Sequence, residues 1–298
     1  MLFHLLLALI PIPLGLDLYL PVPEDNPITR EKVALGRRLF FDRRLSRDRS
    51  IACASCHNPK RGFSTPVSAS IGVGGRRGRR NAPALINRGY GRAFFWDGRT
   101  PSLEEQVLKP IEDANEMNLT LEEAAARVKL DVPMLSRALA SYVRSILSGD
   151  SPYDRFANGD RTALSAVQQV GLQIFRGKGN CTACHVGPNF TDEQFRNTGV
   201  AWRDGQLNDQ GRFEISSRPG DRGAFKTPTL REIARTAPYM HDGSMDTLQD
   251  VIDFYSDGGR PNPYLDADIR PRKFTPEEKH ALLAFLQSLN GRVSEGSR

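Results

Sequence analysis

The chain has four cysteines in 298 residues, and none lies outside two five-residue strings. A disulfide framework of the sort that staples small secreted domains is therefore excluded unless those strings supply it. Histidine is scarce at five residues, methionine also numbers five, and tryptophan only two. No apolar run reaches the roughly 20 residues a membrane-spanning helix needs. The longest such run, at the N-terminus, carries Pro11 and Pro13 and ends by Leu16. No Lys or Arg precedes Arg30, so the basic start of an ordinary export signal is missing. The formal charge of +6 comes without an aromatic-rich basic module, which leaves nucleic-acid binding without a sequence signature. The length suits two modest domains.

What is present is decisive. Cys53-Ala54-Ser55-Cys56-His57 and Cys181-Thr182-Ala183-Cys184-His185 are both C-x-x-C-H. Two thiols at that spacing can capture the vinyl groups of a haem as thioethers, and the following histidine can ligate the iron. Two competing readings are a four-cysteine zinc site and a pair of redox dithiols. Zinc needs no histidine after each pair, and no βαβ pattern supports the dithiol reading. Two covalent haems would offset the basic charge with their propionates. C-type haem is attached outside the cytoplasm, so residues 1–20 read as an export segment and the protein as periplasmic. The other reading of that stretch is an apolar strand of the mature fold.

The strings sit in related settings. Gly36-Arg-Arg-Leu39-Phe40 precedes the first, and Gly171-Leu-Gln-Ile174-Phe175 precedes the second, a weak internal repeat. Periodicity and caps predict helices over Thr29 to Phe41, Ser102 to Ile111, from Thr120, over Pro133 to Leu147, Thr247 to Tyr255 and Thr275 to Leu289. Thr120-Leu-Glu-Glu123 reads as a capping box. Ser148 to Arg161 reads as a connection, and 186–235 as long loop. The fold expected is all-α, two cytochrome c-like units with long loops.

Further motifs follow one order: Phe95-Trp96-Asp97-Gly98-Arg99, Ser102-Leu-Glu-Glu-Gln106, Glu116-Met117, Phe225-Lys-Thr-Pro228-Thr-Leu-Arg231, and Thr236-Ala-Pro238-Tyr-Met-His241-Asp-Gly243. From about Pro27 to Asn290 this closely resembles the bacterial di-haem cytochrome c peroxidase family, including its MauG branch. The resemblance implies an N-terminal peroxidatic haem domain over 21–160 and a C-terminal electron-transfer haem domain over 161–298. It implies that Trp96 bridges the haems, that Glu116 is the acid–base residue over the peroxidatic iron, and that Gln106 hydrogen-bonds in the same pocket. It also implies a calcium ion held by the Asn81 side chain and the carbonyls of Thr236 and Pro238. Alone, Trp96 reads as a core aromatic, Glu116 and Gln106 as helix-surface groups, and Asn81 as a turn residue.

The histidine count sharpens this. His57 and His185 are the proximal ligands. Many family members place a second histidine on the first haem, in the loop after the first motif. Here Asn58 to Cys184 contains none, and that loop reads Ser70-Ile-Gly-Val-Gly-Gly-Arg-Arg-Gly-Arg-Arg80. The expectation is an open sixth position, with Met117 or Met134 as rival ligands. The arginines of this loop, Arg76, Arg77, Arg79 and Arg80, read first as solvated, otherwise as steering or propionate-binding groups. For the second haem, the ligand register of the family falls on Tyr255, as in the MauG branch, with Met245 and Met240 as rivals. A phenolate favours higher oxidation states, whereas a thioether raises the potential. His241 is expected near a propionate or behind a ligand, and His280 at the surface.

These expectations describe a MauG-like peroxidase or oxidase reacting with hydrogen peroxide, sharing oxidising equivalents through Trp96 with a His/Tyr haem. Its partner is a small electron-donor protein or an oxidisable protein or organic substrate, and it is a monomer or homodimer. MauG carries a surface tryptophan where this chain has Gly179, which speaks against MauG's own reaction; the other tryptophan, Trp202, lies elsewhere. The alternatives are a non-catalytic electron-transfer cytochrome and a peroxidase whose second haem is methionine-ligated.

Overall fold

The computed structural model describes residues 10–296, so residues 1–9 of the expected export segment lie outside it. Helices start where capping side chains meet orphan amides. Thr29 Oγ1 accepts from Lys32 N at 3.2 Å and opens Arg30–Phe40. Ser165 and Gln168 cap each other reciprocally to open Ala166–Arg176, as Thr275 and Glu278 do for Pro276–Gln287. Thr120 forms half of its box. It accepts from Glu123 N, but the Glu123 carboxylate turns to Arg127 at 2.7 Å.

Each C-x-x-C-H belongs to its own core. Arg30–Phe40 packs on Val132–Arg144 in the first, and Ala166–Arg176 packs on Pro276–Gln287 in the second. The repeat explains both crossings. A Cβ on Gly36 would overlap the carbonyl of Ala138, and one on Gly171 would overlap the carbonyl of Ala281. Each motif glycine is thus where two backbones meet, and each following Leu/Ile-Phe pair is buried.

The all-α expectation needs correction. Described residues include three two-stranded antiparallel sheets. The helix expected to reach Leu147 stops at Arg144, and buried Ile146–Gly149 pairs with Arg292–Glu295, in register Ile146 to Glu295. The C-terminal tail therefore returns to the first core. The helix expected over Ser102 to Ile111 divides into Leu103–Gln106 and Lys109–Glu112. Pro110 has no N–H to donate to Gln106, which breaks the ladder there. The stretch 186–235 is loop apart from short strand pairs, 3-10 turns and the four-residue helix Phe213–Ser216.

A buried ion pair beside the second core holds the N-terminal segment. Arg231 Nη1 lies 2.5 Å from Asp154 Oδ2, both side chains 1% exposed, and the same guanidinium holds the carbonyls of Pro188 and Gly15. Leu14 accepts from Asp150 N at 2.8 Å. Residues 14–16 are thus built into the fold. Breaking a buried ion pair leaves an uncompensated charge, so Asp154→Ala is expected to cost about 3–5 kcal/mol. Denaturant unfolding of the variant checks this; a change below about 1 kcal/mol would show the pair to be dispensable.

Candidate haem sites

Cys53–Cys56 forms a one-turn helix before His57, and Cys181–Ala183 forms a 3-10 turn before His185; Cys56, Cys181, Cys184 and both histidines line one cavity. No cysteine is in a disulfide. Burial raises Cys53 and Cys181 to about 12 and Cys184 to about 11. A redox dithiol is activated by a lowered pKa, whereas the surroundings here push these thiols up. Among the described residues no three Cys, His, Asp or Glu side chains are grouped to hold a metal ion, so the four cysteines do not converge as a zinc site.

The two histidines are set alike. His57 Nδ1 lies 3.0 Å from the carbonyl of Phe63, and His185 Nδ1 lies 2.9 Å from that of Phe190. A carbonyl only accepts, so Nδ1 carries the proton and Nε2 keeps a lone pair suited to binding a metal. Both phenylalanines are buried and left-handed, φ 57° and 51°. That backbone is costly for a bulky residue. Its repetition at both sites makes it part of how the ligands are aimed. Sequence reading missed it; the signal was a Phe five or six residues after each histidine.

One continuous cavity of about 650 Å³ runs between the motifs. Its first half holds Cys56, His57, Gln106 and Glu116, and its second half Cys184, His185 and Tyr255, with Trp96 between. Paired thiols, free Nε2 atoms and largely apolar walls fit two covalently held haems. Ser70, a buried residue on the wall, sets its hydroxyl beside the Cys56 thiol that would carry a thioether.

In the first half, burial raises Glu116 to about 7, Asp113 adds to the rise, and Arg99 opposes it. Its backbone is fixed, since Glu116 N donates to Asp113 O and Val73 N donates to Glu116 O at 2.9 Å. Gln106 ends the Leu103–Gln106 helix and faces the cavity. No methionine lines this half: Met117 is in the first core and Met134 is exposed.

In the second half, Tyr255 lies on Leu248–Ser256 facing the cavity, and burial raises its phenol, with the nearby cysteines adding to the rise. Met245 is turned into the second core and does not line the cavity; Met240 lines it beside Tyr239 and His241. Gly179 packs under the second motif. His280 is exposed, and Trp202 sits on a two-residue hairpin strand.

Between the halves, Trp96 Nε1 donates to Asn81 O at 2.8 Å and Trp96 O accepts from Lys226 N at 2.8 Å. Asn81 N donates to His241 O at 2.8 Å. Asn81 Nδ2 is spent on Val67 O. Among the described residues no donor reaches Asn81 Oδ1 or the carbonyls of Thr236 and Pro238, which flank the cis Ala237–Pro238 bond and share the cavity wall with Asn81. His241 stacks on Phe225 at 3.6 Å, and burial lowers it to about 4, so it is neutral.

The arginine loop is not simply solvated. Arg80 is buried between Asp97 at 2.5 Å and Asp209 at 2.8 Å, and Arg79 pairs with Glu214 and Asp209. Asp209 and Glu214 come from the long loop of the second unit, partners too distant in sequence to foresee.

A family model described as di-haem cytochrome c peroxidase matches residues 30–134. The chain is 39% identical to the methylamine utilization protein MauG of Methylorubrum extorquens over 90% of this chain and 81% of that protein. It is 32% identical to the cytochrome c551 peroxidase of Pseudomonas aeruginosa over 92% and 85%. A crystal structure of a MauG-like protein associated with microbial copper homeostasis superimposes with TM-score 0.85 at 33% identity, over 95% of this chain and 94% of that one. The diheme peroxidase BthA from Burkholderia thailandensis gives TM-score 0.79 at 26% identity, over 89% and 87%.

Proposed function

As a member of the di-haem cytochrome c peroxidase family, this chain is an oxidoreductase acting on hydrogen peroxide, and we propose that its two haem sites are unequal. Cys53, Cys56 and His57 would hold the first haem, and Cys181, Cys184, His185 and Tyr255 the second. Bound there, the haems would supply iron that reacts with peroxide at one centre and retains oxidising power at the other. Glu116 takes a proton from one peroxide oxygen and delivers it to the other, and Gln106 orients the peroxide by hydrogen bonding. Trp96 lies between the halves and is the bridge through which oxidising equivalents are shared.

The observation that carries this reading is the unequal lining of the cavity. Glu116, close to Cys56, and Gln106 line it, and Tyr255 lines it close to Cys184. Between Asn58 and Cys184 there is no second histidine and neither methionine reaches the wall; His241 and Met240 line the same cavity from the later segment. Electron paramagnetic resonance of the ferric holoprotein tests it. A high-spin signal beside a low-spin one is expected; two low-spin signals would mean that both irons are six-coordinate and would sink the proposal. A plain electron-transfer cytochrome would need a second strong ligand in the first half. A methionine-ligated second haem would need Met240, which lines the cavity, in place of Tyr255, since Met245 is in the core.

The remaining assignments belong to the same reading. The division into units over 21–160 and 161–298 draws on the two hydrophobic cores, but Tyr153 and Phe156 already pack against the second, and the strand Arg292–Glu295 crosses back to the first. Calcium would take Asn81 Oδ1 and the carbonyls of Thr236 and Pro238, a hard, neutral oxygen set. Because Asn81 also holds Trp96, prolonged chelation is expected to release calcium and alter the Trp96 fluorescence; elemental analysis finding no calcium in the untreated protein would refute the site. No described helix is long and apolar enough to cross a membrane. Export to the periplasm would remove a segment ending before Pro13, since Leu14 and Gly15 are bonded into the fold. The oxidised partner is an electron-donor protein or an organic or protein substrate, and Gly179 argues that it differs from MauG's.

A further inference from the structure

Two cations at the centre of the cavity share one carboxylate. Arg88 Nη1 lies 2.7 Å from Glu193 Oε1, and Lys226 Nζ lies 3.5 Å from the same oxygen. The side chains of Arg88 and Lys226 are 9% exposed and that of Glu193 11%. Glu193 Oε2 accepts from Arg92 N at 2.6 Å. Arg88 Nη2 donates to Ala93 O at 3.1 Å, and its guanidinium lies 5.1 Å from the Phe94 ring centroid. Glu193 and Arg88 are therefore well used, while Lys226 has a single long contact. Two positive groups against one negative leave a net charge of one, buried.

Such a surplus is costly unless another anion reaches it. Burial, with Arg88 second, lowers Lys226 to about 7, and Glu193 alone opposes the shift. No other carboxylate of the chain faces Lys226. Arg88 and Lys226 both line the cavity that contains the C-x-x-C-H histidines, and Lys226 is held there by its backbone bond to Trp96. Thioether attachment uses the vinyl edge of a haem and presents its propionates at the opposite edge, away from the cysteines.

We propose that Lys226 and Arg88 form a two-pronged cationic seat for a haem propionate at the seam between the two units, with Glu193 holding the residual charge. This rests on the di-haem reading of the cavity, but not on which iron is open. The seat couples one haem to the backbone that carries Trp96. It also fixes that haem's carboxylate as an anion, which in turn keeps Lys226 protonated, so the potential of this haem should be independent of pH near neutrality.

The test uses holoprotein variants Lys226→Met, Lys226→Arg and Glu193→Gln, with both midpoint potentials measured against pH and the propionate bands followed by resonance Raman. Lys226→Met should lower one potential at neutral pH, make it fall with rising pH as the freed propionate titrates, and shift one propionate band. Lys226→Arg should restore both features. Glu193→Gln should move the same potential upward with the band unchanged. Wild-type potentials and bands in Lys226→Met would overturn the seat. So would a shift equal at every pH with no change in the band, which would be a remote charge effect only. If Lys226→Met fails to retain haem, Glu193→Gln still decides: unchanged potentials there refute the proposal. The high-spin signal that tests the open iron is independent of all these outcomes.

Discussion

Glu116→Gln is expected to slow the reaction with hydrogen peroxide by about 10²–10⁴-fold, the usual contribution of a positioned acid–base group. The pH dependence is the sharper check. Burial and Asp113 raise Glu116 to about 7, so it is protonated below that pH and ionised above it. Accepting the peroxide proton needs the ionised form. The rate should therefore climb about tenfold per pH unit below 7 and level off above it. The variant should be slow and lose the inflection. Because Gln removes an ionisable group that burial disfavours in its charged form, the fold should not be weakened at neutral pH. Stopped-flow optical spectroscopy across pH measures both enzymes. A wild-type rate without an inflection near neutrality, or an unimpaired variant, would remove Glu116 from the proton path.

Tyr255→Met is expected to raise the potential of the second haem by an amount on the order of hundreds of millivolts, within the roughly 0.8 V range that axial ligation spans. Burial holds the free phenol protonated, so only bonding to ferric iron would ionise it. A thioether at the same place is neutral and favours the ferrous state. The variant should lose the capacity to retain oxidising power while keeping its high-spin first haem. Spectroelectrochemical titration reads the change, and an unshifted potential would take Tyr255 off the ligand roster.

Helix positions were largely legible because their signals are local. Thr29 and Thr275 announce their helices through side chains within three residues. Reading failed where a distant partner or a single imino acid decided the outcome. Ile146–Gly149 became a strand because Arg292–Glu295 lies beside it. Pro110 cut a helix that the apolar spacing otherwise supported. Arg76, Arg77 and Arg79 are exposed as the loop's charge suggests, and only the Arg80 side chain is buried, against Asp97 and against Asp209 from more than a hundred residues away.

By itself the sequence determined the attachment chemistry. Two thiols and a histidine within five residues, repeated once and using all four cysteines, are the signature of haem attachment that local spacing alone can carry. The tertiary structure alone decided what surrounds those turns. It aimed His57 and His185 through the carbonyls of Phe63 and Phe190, turned Met245 into the core while Tyr255 faces the cavity, and put Arg88 and Lys226 against one carboxylate. Ligand capture depends on neighbours along the chain, whereas the charge and polarity of a buried cavity depend on which distant segments pack to enclose it.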